Sequence, residues 1–224
     1  MLSTIFLNTD VPIGMLSLRR RGSREAWSEF APAIGEVVLP DDKEVRLEIF
    51  ARAKFEPSIL ANLVPDALAE IVWVSTGRLN DAAIQYLQHL TGLKALQVWE
   101  TSIGNEALRH LRHLTNLLSL DLGDTKVTDA GLPYLGELSK LTQLTFLNDR
   151  VSDAGLPALR SLSSLQVLDL MNTQVTDEGV RILGGIRSLK SLRIFNTRIT
   201  KSGYSRLKRV LNGCSIRYYH PHRA

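Results

Sequence analysis

Residues 165–186 read LQVLDLMNTQVTDEGVRILGGI, and residues 117–138 read LLSLDLGDTKVTDAGLPYLGEL, with apolar residues at matching places in both. Each stretch opens on alternating leucines (Leu168 and Leu170, Leu120 and Leu122) and passes through a polar turn. Apolar residues then recur at every third position: Val180, Leu183 and Ile186 in one, Leu132, Leu135 and Leu138 in the other. Alternation over a few residues marks a strand with one buried face, and spacing of three over a short run marks one face of a helix. The period changes inside a single unit, so that unit reads as strand, turn, short helix.

Extended outward, the unit has 24 residues and opens at Ala69, Leu93, Leu117, Leu141, Leu165 and Leu189, with a partial unit at Gly213. Position four reads Val72, Leu96, Leu120, Leu144, Leu168, Leu192 and Ile216; position six reads Val74, Val98, Leu122, Phe146, Leu170, Ile194 and Tyr218. On this reading the register never slips. Position eleven, always branched or apolar, brings the chain inward again through Leu79, Ile103, Val127, Val151, Val175 and Ile199. Just before the helical half stand Thr128 and Asp129, Ser152 and Asp153, and Thr176 and Asp177, whose side-chain oxygens suit the unpaired N–H groups of a first helical turn. The leucine excess, 38 of 224 residues, is largely this register. A unit with one apolar edge cannot bury it alone, so neighbours must stack, strands inside and helices outside.

These stretches resemble leucine-rich repeats of the ribonuclease-inhibitor-like kind, and the VTDAGL phrase at 127–132 is similar to repeats in bacterial proteins and in eukaryotic F-box receptor subunits. The resemblance covers residues 69–219. It implies an α/β solenoid with a parallel inner sheet and outer short helices, used as a non-catalytic binding scaffold. At position nine, where the family often carries Asn or Cys, the chain has Gly77, Thr101, Thr125, Asp149, Thr173 and Thr197. A Thr hydroxyl there can still bond backbone groups of the turn.

Ahead of the repeats, 14–20, 35–40 and 44–50 have the look of strands joined by the polar RRRGSR and PDDKE segments. The expected division is a β-rich cap over 1–52, a degenerate capping repeat over 53–68, six repeats over 69–212, and a last strand with tail over 213–224. Phe55, Leu60 and Leu63 fit positions 11, 16 and 19 of the degenerate unit, whose strand alternates Val45, Leu47, Ile49, one residue out of the repeat's phase. A cap is expected because the first repeat would otherwise expose its apolar edge. A compact helical F-box does not fit this strand-rich segment.

Composition narrows the function. Hydrophobic residues make up 44% and charged residues 22%, and the single cysteine allows neither an internal disulfide nor a multi-cysteine zinc site. No apolar run reaches bilayer length, and MLSTIFLNTDVPIG lacks the basic start of a signal peptide, so a cytoplasmic location is expected. The net charge of +4 conceals an asymmetry: residues 181–224 hold eleven Lys or Arg and no Asp or Glu, leaving −7 on the remainder. His110 and His113 fit solvent-facing helix positions better than a metal pair. His220 and His222 lack a nearby carboxylate or cysteine partner, and Cys214 reads as a partly buried small residue, a reactive thiol only if its basic surroundings lower its pKa. The glycines at 131, 155, 179 and 203 recur at repeat position 15 and form no phosphate loop. No enzyme, cofactor or metal site is expected.

The binding surface is expected between the buried positions, on the concave sheet face. Position seven reads Ser75, Trp99, Gly123, Leu147, Met171, Phe195 and Tyr219; position five reads Trp73, Gln97, Asp121, Thr145, Asp169, Arg193 and Arg217. Seven strands about 4.8 Å apart make a band roughly 29 Å long. The expected partner-binding residues are Trp73, Trp99, Asp121, Leu147, Asp169, Met171, Arg193, Phe195, Arg217 and Tyr219, the apolar ones for affinity and the charged ones for orientation. Self-burial, by a loop, a tail or a second copy, is the competing reading. A basic patch of Arg198, Lys201, Arg206, Lys208 and Arg209 reads first as a solvated end, then as a site for an acidic protein patch, and third as a surface for nucleic acid or an anionic membrane. The function expected is a protein-interaction scaffold whose partner the sequence does not name, with recognition inside a larger assembly as an alternative.

Overall fold

The computed structural model describes residues 3–7, 14–21, 23, 25–40, 42–49, 57–63, 68–73 and 79–219. The expected repeat residues Val74, Ser75 and Gly77, together with Phe55, His220 and His222, lie outside the described residues. In chain order the strands are β1 (Ser3–Leu7), β2 (Gly14–Arg20), β3 (Ser28–Pro32), β4 (Gly35–Leu39), β5 (Lys43–Ile49), β6 (Glu70–Trp73), β7 (Ala95–Gln97), β8 (Ser119–Asp121), β9 (Gln143–Thr145), β10 (Val167–Asp169), β11 (Ser191–Arg193) and β12 (Ser215–Arg217). One ten-stranded sheet runs β12-β11-β10-β9-β8-β7-β6-β5-β2-β3. From β5 to β12 the neighbours are parallel, while β2 pairs antiparallel with β5 and with β3. β1 and β4 form a separate antiparallel pair. Strands were expected at 14–20, 35–40 and 44–50; β1 and β3 were not anticipated, their short segments lacking clean alternation.

The repeat strands last three residues, yet pairing continues past them. The Leu170 N–H donates to Arg193 O at 2.9 Å and the Asn172 N–H to Phe195 O at 3.0 Å, with equivalent bonds in neighbouring repeats. At position eight the backbone turns left-handed at Glu100, Asp124, Asn148, Asn172 and Asn196, with φ between 53 and 62°. Asn and Asp tolerate this region better than other side-chain-bearing residues. Their side chains run as a ladder along the rim: Asn196 Nδ2 donates to Asn172 Oδ1 at 2.8 Å, Asn172 Nδ2 to Asn148 Oδ1, and Asn148 Nδ2 to Asp124 Oδ1 at 2.8 Å. Pairing through position eight is what holds position seven on the sheet face.

The outer layer is built of short pieces: α1 (Asp81–Ile84), α2 (Asn105–Leu111), α3 (Gly179–Leu183), α4 (Lys201–Val210), and 3-10 turns at Pro57–Asn62, Gln85–Leu87, Asp129–Glu137 and Leu156–Ser161. Pro133 and Pro157 fall in the tighter turns, where no regular α-helical ladder exists for them to interrupt. Between sheet and helices lies one continuous core containing the leucine columns of positions 1, 4, 16, 19 and 22 from Leu93 onward, with Phe146 the largest buried side chain. The Thr residues of position nine seal the turn from inside, Thr101 and Thr173 each donating to the carbonyl three residues back at 2.7 Å.

Two expectations are corrected. The register does slip, once: Ile71, not Val72, pairs with Leu96, and Leu47 pairs with Ile71. Ile71 is buried and Val72 half-buried. A one-residue shift exchanges the faces of a strand, and this one gives the sheet's inward column the branched side chain that fills it. The β5 strand, expected out of phase, is therefore in phase with β6. The backbone of Trp73, a residue of the expected position five, pairs with that of Ile49. The second correction concerns Asp129, Asp153 and Asp177. Instead of capping their own helical turn, they accept hydrogen bonds from Ser152, Thr176 and Thr200 of the following repeat. The hydroxyl residues do accept N–H groups where the helical half begins: Ser152 from Ala154 at 3.3 Å, Thr176 from Glu178 at 3.1 Å and Thr200 from Gly203 at 3.3 Å.

Candidate functional site

Parallel strands with inward positions four and six leave positions five and seven on the opposite, concave face. Position seven carries an apolar band along it. Trp99 is 38% and Tyr219 58% exposed, while Leu147, Met171 and Phe195 are half-buried and join none of the core packing. Gly123 interrupts the band, and a Cβ there would stand 3.2 Å from the Cβ of Leu147.

The charged residues of position five are more internally committed than the sequence suggested. Asp121 Oδ1 accepts the Gly123 N–H at 3.0 Å, and Asp169 Oδ1 accepts the Met171 N–H at 3.0 Å. Asp169, nearly buried, also takes Arg193 Nη1 on its Oδ2 at 3.1 Å. Burial pushes the Asp121 carboxyl above its ordinary value; the Gly123 N–H opposes this, and the charges of Asp169 and Asp124 add to it. Arg217 is exposed on β12. The face thus grades from acidic over β8 and β10 to basic over β11 and β12.

Sequence reasoning missed the other end of this face. Arg46 of β5 bonds Glu70 of β6 at 2.9 Å, and Gln97 of β7 donates to the other oxygen of Glu70 at 2.9 Å. Arg19 and Arg46 each lie over the ring of Trp27, 4.3 and 4.7 Å from its centroid, in cation–π contact. The signal was present: Arg46 and Glu70 are opposite charges separated by one repeat length.

The residues of the expected basic patch lie on and just before α4, apart from the arginines of the sheet. Lys201, Arg206, Lys208 and Arg209 project exposed from α4 on the outer layer, Arg198 is exposed in the turn before it, and Arg193 and Arg217 belong to the sheet. Tyr204 of α4 stacks on Tyr218 at 4.6 Å, tying the helix to the last strand. Cys214 is half-buried, and burial pushes its thiol up, against the lowering that a reactive thiol would need. His110 is half-exposed and His113 exposed. Among the described residues no cluster of His, Cys, Asp or Glu is arranged to hold a metal ion, and no helix is long and apolar enough to cross a membrane.

A leucine-rich-repeat family model matches residues 113–136 and 161–183. No curated protein matches the chain in sequence. Among solved structures, internalin C2 of Listeria monocytogenes is similar over 78% of this chain and 73% of its own, at 21% identity and a TM-score of 0.53. A leucine-rich-repeat protein of Leptospira interrogans is 22% identical over 71% of this chain and 38% of its own, at a TM-score of 0.49. The internalin likeness concerns the fold alone. With repeats matched by the family model and stacked as one sheet under one layer of short helices, the chain is a leucine-rich-repeat α/β solenoid.

Proposed function

We propose that this chain is a non-catalytic protein-interaction scaffold that receives its partner on the concave sheet face. Leucine-rich-repeat proteins generally serve in that way, a rigid stack presenting one long surface. One observation carries the reading here: the band of Trp99, Leu147, Met171, Phe195 and Tyr219 lies on that face without joining the core. Large apolar and aromatic side chains of this kind anchor interfaces, and a charge gradient beside them fixes a partner's direction. In this reading the chain is the recognition element of a larger assembly.

The test is a pull-down from native cell extract with wild type beside a Trp99→Ser, Phe195→Ser double variant. Wild type retains partners that the double variant loses; equal recovery removes the face from consideration. Sedimentation at increasing concentration separates a second copy from a different protein as the occupant.

A second reading rests on α4, where Lys201, Arg206, Lys208 and Arg209 are exposed and none forms an ion pair among the described residues. Such a helix face suits nucleic acid or an anionic surface. Binding to duplex or single-stranded probes that falls steeply with salt supports it, and no binding at low salt excludes it.

A further inference from the structure

A cavity of about 560 Å³ opens on the rim where the parallel strands begin. It lies between the end of β2 and the residues that lead into β5 to β9. Its described lining carries four cationic side chains, Arg21, Lys43, Lys94 and Lys140, and one carboxylate, Glu44. The apolar part includes Leu118, which is 41% exposed where most leucines of this chain are buried.

The single carboxylate is fully engaged. Glu44 Oε2 accepts from Arg19 Nη2 at 2.6 Å and Nε at 3.2 Å, and its Oε1 accepts from Lys94 at 2.7 Å. Burial alone would raise its pKa, but the bonds and charges of Lys94 and Arg19 hold it below its ordinary value, so it is ionised at neutral pH. Two cations already share one anion before Lys43 and Lys140 are counted. Lys43 meets Asp42 at 3.3 Å, an exposed and therefore weak pair, and Lys140 donates to the neutral Asn116 at 2.7 Å. The backbone N–H groups of Lys94 and Leu118 are bonded from rung to rung, to Ala69 O and Lys94 O. Recognition here belongs to side chains.

Converging like charges repel, and a concave site of one sign concentrates its field on an incoming counter-ion. The volume falls in the range of about 300–1,000 Å³ typical of small-ligand sites. Lysine ammonium groups and an arginine fork suit the oxygens of phosphate. We propose that this rim cavity binds a phosphorylated small molecule, its phosphates among Arg21, Lys43, Lys94 and Lys140 and its organic body against Leu118. A compact cavity favours such a ligand over an acidic peptide, whose charges are spread along an extended backbone.

The test is calorimetric titration of the full chain with inorganic pyrophosphate and with adenosine triphosphate, at low and at physiological salt. Both probes bind, the nucleotide more tightly, and both weaken with salt. A Lys43→Gln, Lys140→Gln variant loses roughly tenfold or more toward both, in proportion to two removed charge-assisted contacts. Leu118→Ser loses the nucleotide's advantage and leaves pyrophosphate unchanged. A Lys201→Gln, Lys208→Gln control on α4 alters neither. The proposal is overturned by absence of binding at low salt, by an equal loss in the control, or by unchanged affinity in the Lys43, Lys140 variant. A hexaglutamate peptide that binds as well as the nucleotide overturns the assignment to phosphate.

Discussion

Asp153 holds Thr176 of the following repeat through both carboxylate oxygens, Oδ1 accepting the backbone N–H at 2.9 Å and Oδ2 the hydroxyl at 2.6 Å. Asp129 and Ser152, and Asp177 and Thr200, repeat the arrangement. Gly179 makes room for it, since a Cβ there would collide with Asp153 Oδ1. The recurrent phrase of hydroxyl residue, aspartate and glycine is thus an inter-repeat clamp, each aspartate reaching across the stack to the next repeat's threonine or serine.

Removing the clamp costs stability in a characteristic way. Asp153→Ala lowers the unfolding free energy by about 2–3 kcal/mol, from two charge-assisted bonds and an N–H left without its acceptor. Gly179→Ala costs about 1–3 kcal/mol through overpacking. Because both substitutions act on one contact, the double variant loses less than the sum. Urea unfolding of all four proteins measures this, and strict additivity would deny the clamp.

Asp149 stands where four other repeats have threonine, is only 3% exposed, and has an Oδ2 with no hydrogen-bond partner. Burial is the main cause that lifts its pKa from 3.8 to about 7; the Thr125 N–H and hydroxyl oppose the rise, and the charges of Asp124 and Asp121 add to it. The folded chain therefore holds this proton more tightly than the unfolded chain. Its stabilising contribution is complete below about pH 4 and is lost as pH rises through about 7. Asp149→Thr removes the titration, so wild type loses stability relative to the variant between pH 5 and pH 8, by about 2–3 kcal/mol. Unfolding midpoints of both proteins across that interval give the answer; a constant difference would show that Asp149 titrates normally.

The slip at β6 yields opposite expectations for adjacent residues. Ile71→Ala costs about 2–5 kcal/mol because Ile71 is fully buried, and Val72→Ala costs less than about 1.5 kcal/mol. The uninterrupted 24-residue register requires the reverse order. Thermal or urea unfolding of the two variants settles which residue faces inward.

Phe146 and Trp99 make a second contrast, between the inward position six and the outward position seven. Phe146→Ala costs about 3–5 kcal/mol, while Trp99→Ser changes stability by less than about 1 kcal/mol. A large loss in Trp99→Ser would mean that the sheet face is already filled in the isolated chain.

Most of the repeat architecture was legible because burial leaves a periodic trace. From Leu93 onward, Leu96, Val98, Leu108 and Leu111 occupy the places that their spacing implies. The outward band was legible as well, since Trp99 and Phe195 are apolar where the period asks for polar residues. The roles of Asp169 and Arg193 were not: they stand in one column as opposite charges one repeat length apart, but that column was read for its outward surface and not for bonds across adjacent strands. The rim cavity was invisible: Arg21, Lys43, Lys94 and Lys140 come from four separate segments.

The sequence alone determined a stacked α/β solenoid with its strands inside, because no other arrangement removes every leucine column from water at once. Only the tertiary structure decided the phase of β6, the commitment of each aspartate to its neighbouring repeat, and the gathering of cations at the rim. Each of these depends on which atoms of adjacent rungs meet, a relation between residues about 24 apart that no local period encodes.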